Sequence, residues 1–199
     1  METIEQNKVE LSNSVSVQGL TLLELLEGAS THADKGKSAL HALNSVQLLA
    51  GAGSLIARAT DRYRLIEGKI EGEGHLDHTL ISLDDVKRVI DLIKGNKLAR
   101  ISLNRIGDLL TVSAAGSSLT LNLMSANYPA TFNDLLNKSE RECLGETSFN
   151  PAFMADYAKI AGKGNAVRVE FTGERKPIII HLPVTKVTWR ALLMPMRVI

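Results

Sequence analysis

Residues 82–95, SLDDVKRVIDLIKG, decide how the rest of the chain is read. Ser82 can cap a helix, Asp85 three residues on can answer it as a capping-box variant, and Gly95 supplies the stop. Between them Val86, Val89, Ile90 and Ile93 recur at helical spacing and line one side, a stripe that has to be buried against something. Two other segments share the design. In residues 20–30, Leu22, Leu25, Leu26 and Ala29 fall on one face. The third helix is expected to start at Asn150, with Pro151 at the first helical position where its missing N–H is tolerated. It runs through Phe153, Met154, Tyr157 and Ile160 and stops near Gly162 and Gly164.

Around these helices, alternation and β-branched content predict strands at 40–49, 54–60, 63–70, 98–103, 109–114, 118–124, 167–172, 177–182 and 187–193. A short strand is expected before each helix, at 15–17, 79–81 and 146–149. Helix starts near residues 20, 83 and 150 repeat at intervals of about 63 and 67 residues. The reading is an α+β protein of three strand-helix-three-strand units, with helices on one face of antiparallel sheets. A complete domain is expected over 1–136, from units at about 14–77 and 78–136. A linker at 137–145 and a half domain at 146–199, carrying the C-terminal tail, follow.

Composition narrows the function classes. The 199 residues are 44% hydrophobic and 23% charged, as in ordinary globular proteins. With 23 basic and 22 acidic residues the net charge is +1, so any nucleic-acid contact has to come from segregated charge. Cys143 is the single cysteine and cannot form an internal disulfide, which points to a reducing, cytoplasmic setting. No apolar run approaches the roughly 20 residues of a membrane span, and residues 1–18 lack the apolar core of an export signal. An aromatic content of 4% argues against a base-stacking platform.

Candidate chemistry is sparse. His75 and His78 are spaced as zinc ligands can be, but no third ligand stands near them and 68–77 reads as a loop. Lys35, Gly36, Lys37 and Ser38 look like the end of a phosphate-binding loop, yet Thr31 stands where that motif needs glycine and a helix precedes it. Cys143 has no activating partner. No enzyme, metal or cofactor is expected.

Two features point to binding instead. Lys87, Arg88, Lys94 and Lys97 lie on or just after the second helix, and Lys159 and Lys163 on the third. Basic stripes recurring on equivalent elements could follow a DNA backbone without reading bases. The C-terminal residues Leu192, Leu193, Met194, Pro195, Met196, Arg197, Val198 and Ile199 are mostly apolar, so they should be docked or should form a binding surface. Pro195 cannot donate to a ladder, which ends the last strand near Met194. Flexible methionines suit a surface that accepts varied ligands.

Taken together, Ala59, Thr60, Asp61, Arg62, Tyr63, Arg64 and Leu65, with Met194, Pro195, Met196 and Arg197, resemble the bacterial DNA polymerase III beta sliding clamp family. Asn127, Tyr128 and Pro129 are similar to the step that closes that family's middle domain. The resemblance implies a processivity factor that encircles double-stranded DNA without reading its sequence, is placed there by a clamp loader, and tethers DNA polymerase and other proteins carrying a clamp-binding motif. Carried over by motif, the partner-peptide pocket would comprise Thr60, Tyr63, Arg64, Leu65, Pro129, Leu192, Leu193, Met194, Pro195, Met196 and Arg197. Thr60 and Arg64 would orient the peptide, and Asp61 would serve the turn. Arg62 stands where the family has a small residue, and 130–134 lack the family's basic character.

Length departs most. The family chain has six units and twelve close a ring, so three per chain imply a homo-oligomer, with a tetramer preferred and a dimer or trimer possible. A shortened clamp of this kind would suit a bacteriophage. The alternative from another class is a clamp-like adaptor or competitor that binds clamp partners without encircling DNA.

Overall fold

The computed structural model describes residues 13–36, 41–126, 128, 147–173, 175–183 and 185–196. The first unit comprises β1 (Ser14–Gln18), α1 (Gly19–Ser30), β2 (Ser45–Gly51), β3 (Ser54–Thr60) and β4 (Arg64–Glu71). After the short β5 (Glu73–Gly74), the second comprises β6 (Leu76–Ser82), α2 (Leu83–Lys94), β7 (Arg100–Ile106), β8 (Leu109–Ala114) and β9 (Ser117–Asn122). The third comprises α3 (Pro151–Ala161), β10 (Arg168–Phe171), β11 (Ile178–His181) and β12 (Thr188–Leu193).

Local chemistry sets the ends of these elements. Ser82 Oγ accepts the Asp85 N–H at 3.1 Å and also lies 2.8 Å from the Asp85 carboxylate, the capping arrangement read from the sequence. Asp84 and Asp85 in the first turn and Lys94 in the last suit the helix dipole. Asn150 caps α3 by accepting the Ala152 N–H, with Pro151 in the first turn. Two hairpins close on two-residue loops with positive φ at both positions, Ala52 and Gly53 in one, Ala115 and Gly116 in the other. That geometry matches the right-handed strand twist.

Topology explains how the first two units hold together. The leading strand of each unit joins the other's sheet: β1 pairs antiparallel with β7, and β6 with β2. The result is a five-stranded sheet, β5-β1-β7-β8-β9, and a seven-stranded one, β10-β11-β12-β4-β3-β2-β6. Both registers follow one rule, in which the residue just before the helix faces the first residue of the partner's strand. Gln18 pairs with Arg100 and Ser82 with Ser45. α1 and α2 pack side by side, and Leu22, Leu25, Leu26, Val86, Val89 and Ile93 are sealed beneath them.

The third unit attaches differently. Its last strand, β12, runs antiparallel to β4, the last strand of the first unit, from Thr188 opposite Lys69 to Leu193 opposite Arg64. Trp189 wedges this joint. A Cβ added at Gly28 or Gly68 would fall 2.4 Å from its ring, so both glycines are there for space. A cleft of about 510 Å³ separates α1 from α3, lined by Glu24, Glu27, Thr31, Lys159 and Ile160.

Three sequence expectations change. Residues 68–77, read as a loop from their glycines, are largely strand. The first long strand begins at Ser45, after a short helical turn at His41–Leu43. The expected strand at 146–149 is absent among the described residues 147–149, which lie against no described strand in the way β1 lies against β7.

Candidate partner-binding site and helix face

Asp61 builds the turn between β3 and β4. Its Oδ1 accepts the backbone N–H groups of Tyr63 and Arg64, each at 3.1 Å. Arg62 consequently sits at φ 78°, a left-handed position that favours glycine, which gives a physical reason for a small residue there. Thr60 Oγ1 donates to the Arg64 carbonyl at 2.7 Å and accepts the Arg62 N–H at 3.2 Å.

Arg64 spends its donors inside the protein. Nε donates to Asp61 at 2.9 Å, one terminal nitrogen donates to the Thr31 carbonyl at 2.9 Å, and the other donates to Asp156 on α3. The guanidinium lies 4.5 Å from the centre of the Phe153 ring. The sequence reading had Thr60 and Arg64 orienting a bound peptide. In the structure both are buried and satisfied locally, and Arg64 clamps β4 to α1 and α3. Burial opposes charging of Asp156, but hydrogen bonds from Lys159 and Arg64 hold its carboxyl below the usual range. Beneath the clamp, His32 is buried against the Tyr157 ring, with centroids 4.8 Å apart. Burial first and the Arg64 charge second lower its pKa to about 3.

An apolar patch lies over this foundation. Tyr63 is 61% exposed and stacks on Phe153 at 6.4 Å between ring centres. Met194 and Met196 are exposed beside the half-buried Pro195. The tail is pinned by two backbone bonds, Met194 N–H to the Tyr63 carbonyl at 2.9 Å and Met196 N–H to the Ser148 carbonyl at 2.7 Å. Leu65, Leu192 and Tyr128 form a separate small cluster. Leu193 is fully buried, and Leu192 accepts the Tyr157 hydroxyl through its carbonyl. The predicted pocket residues therefore divide into an exposed set, Tyr63, Met194 and Met196, and a supporting set, Thr60, Arg64, Leu65, Leu192 and Leu193. Pro129, Arg197 and residues 137–145 lie outside the described residues. Phe153, read from the sequence only as part of the third helix's apolar run, packs half-buried against the core and also lies beneath Tyr63, a second role its spacing does not signal.

The helix face is less basic than its sequence suggested. Lys87 pairs with Asp84 and Arg88 with Asp85, each at 2.8 Å. Lys94 reaches Glu27 on α1 at 3.3 Å, and Lys159 reaches Asp156 at 2.7 Å. Lys97 and Lys163 are exposed. The cations of these pairs are themselves exposed, so the pairs add little stability and leave the cations able to exchange partners. His75 pairs with Asp77 at 3.0 Å, and among the described residues no group of three or more metal-ligating side chains is present.

Helices on one face of antiparallel sheets, in strand-helix-three-strand units that swap leading strands and join edge to edge, define the DNA-clamp fold. No protein-family model matches the sequence, and no curated protein does. Solved structures do match. The DNA polymerase III beta subunit of Thermotoga maritima is 17% identical with a TM-score of 0.80, over 100% of this chain and 69% of that one. A DNA polymerase sliding clamp from Caulobacter crescentus is 15% identical with a TM-score of 0.76, over 98% and 68%. One from Pseudomonas aeruginosa, solved with a ligand, is 13% identical with a TM-score of 0.75, over 100% and 69%. At these identities the likeness establishes the fold.

Proposed function

We propose that this protein is a DNA sliding clamp, a non-enzymatic processivity factor that encircles duplex DNA as a homo-oligomeric ring and tethers DNA polymerase and other partners through a short peptide. The observation that carries the reading is the apolar patch at the joint between the first and third units, where exposed Tyr63, Met194 and Met196 lie with the half-buried Phe153, on a clamp fold. A stacked aromatic pair and adaptable methionine side chains over a hydrogen-bonded base suit the hydrophobic anchors of a linear peptide. Pro129 and Arg197 belong to this pocket by sequence motif. Thr60, Arg64, Leu65, Leu192 and Leu193 hold its shape.

Lys87, Arg88, Lys94, Lys97, Lys159 and Lys163 would face the phosphates, exchanging carboxylate for phosphate partners as DNA enters. The assignment of 1–136 as a complete domain, 137–145 as linker and 146–199 as a half domain belongs to the same reading. So do a cytoplasmic location, placement by a clamp loader and a ring of four chains. The test is removal of Met196, Arg197, Val198 and Ile199. Binding of a polymerase-derived clamp-binding peptide, followed by fluorescence anisotropy, should weaken by at least tenfold while the particle mass by light scattering stays the same. Unchanged affinity would remove the tail from the site.

A further inference from the structure

We propose that the third unit completes itself with the third unit of a second copy, by a reciprocal exchange of the segment preceding α3 onto the partner's β10. This deepens the assembly part of the ring reading and rests on it for the expectation that copies associate. The contact itself is argued from the fold.

The template is inside the chain. In both complete sheets the first strand after the helix is flanked by the leading strand of the opposite unit, β7 by β1 and β2 by β6. β10 is the first strand after α3 and ends the seven-stranded sheet, with no described strand beyond it. The cost of that vacancy is visible in burial. Ile101 and Leu103 on β7 are both 0% exposed, as are Val46 and Leu48 on β2. On β10, Val169 is only half-buried and Phe171 is 43% exposed, although both share the face of the buried Ile180 and Ile178 opposite them. Phe149, Met154 and Ile160 are likewise left half-covered at the core margin. An open strand edge beside an uncovered apolar face is a ready template for another strand.

The rule also gives a register. Setting the residue before the helix against the first strand residue, as Gln18 faces Arg100 and Ser82 faces Ser45, puts Asn150 opposite Arg168. It follows that Phe149 faces Val169, Ser148 faces Glu170 and Thr147 faces Phe171. The match is chemical as well as numerical. Phe149 opposite Val169 repeats the apolar pairs Val17 with Ile101 and Ile81 with Val46.

Backbone polarity agrees. In a paired strand alternate residues aim their backbone groups at opposite edges. Gly19 N–H bonds Ala99 and the Asn13 carbonyl accepts from Arg105, whereas the intervening Ser14 carbonyl accepts from His75 on the far side. Ser16 therefore points toward β5, and Ser148, its equivalent by register, accepts the Met196 N–H from the tail. The tail occupies the β5 side, and the other edge is turned to where a partner's β10 would lie. The occupant fits because a second copy offers the same edge and the same segment, so one half-turn satisfies both, as in a two-fold interface.

The experiment mixes two full-length chains, S148C and E170C, each carrying Cys143→Ser and tags of different size, under mild oxidation. The register places these two side chains across a narrow, non-hydrogen-bonded pair, within disulfide reach. A disulfide between the two differently tagged chains is expected, and none when S148C is paired with K163C. F171K, checked for folding by circular dichroism, should halve the particle mass. A particle that stays oligomeric with neither effect would overturn this interface and leave a ring built on other contacts. A monomer at micromolar concentration would overturn both the interface and the ring.

Discussion

The first two units and the third are built to one plan and finished to different degrees. In the pair, each unit lends a strand to the other, the helices lie together, and the side chains on the inner faces of β2 and β7 are sealed from water. In the third, the strands are in order and the helix is capped, but the inner face of β10 is half open and α3 stands across a cleft from α1. A sheet-and-helix unit of this size folds against something, and the half-open face of β10 is where the second copy proposed above would cover it.

Truncation should expose the difference most strongly. Leu103→Ala removes a sealed side chain and should cost about 2–5 kcal/mol in chemical denaturation. Phe171→Ala should cost only about 1–2 kcal/mol in dilute protein, since its exposed part already lies in water. That cost should rise with protein concentration as β10 becomes covered. Equal costs at all concentrations would erase the contrast.

The joint between the two regions should weaken in acid. His32 is held neutral, with its pKa lowered from 6.5 to about 3. Its contribution is therefore fully present above pH 6.5 and is lost as pH falls toward 3, by up to roughly 1.4 kcal/mol per pH unit. Trp189, the single tryptophan, sits in that joint and reports it by fluorescence. Urea midpoints should fall across this window, and His32→Gln should flatten the profile. A midpoint flat from pH 7 to 4 in the unsubstituted protein would show that the ring titrates freely.

The smallest effect on stability is expected from Lys87→Glu with Arg88→Glu. Both cations are exposed and their ion pairs are screened by solvent, so the urea midpoint should barely move. Retention on closed circular DNA should nonetheless drop at low salt, with the deficit shrinking as salt is raised. Equal retention at every salt concentration would mean that this face points away from DNA.

What the sequence disclosed follows the same division. Caps at Ser82 and Asn150 and the buried stripes of α1 and α2 were legible because their determinants lie within a turn or two. The strand expected at 146–149 was legible as a propensity, but a strand exists only when something pairs with it. Gly68 reads as a loop signal, whereas its purpose is to admit the ring of a tryptophan more than a hundred residues away. The engagement of Arg64 was hidden for a similar reason, since Asp156 is 92 positions distant. Tyr63 and the tail methionines were visible as motif residues, while Phe153 became part of the patch only when the chain closed.

The antiparallel joint of β4 with β12 sets last strand against last strand, so the units it links are related by a half-turn about an axis through the sheet. A half-turn of this kind keeps the helices on the same side of the sheet and exchanges top for bottom. β9, the last strand of the second unit, ends the five-stranded sheet, and in the proposed ring it would offer the same kind of joint to another copy. If every contact between copies repeats that operation, the closed particle has no front and no back. A partner arriving from either direction along the duplex would then meet the same surface, and the direction of travel would have to be imposed by the partner.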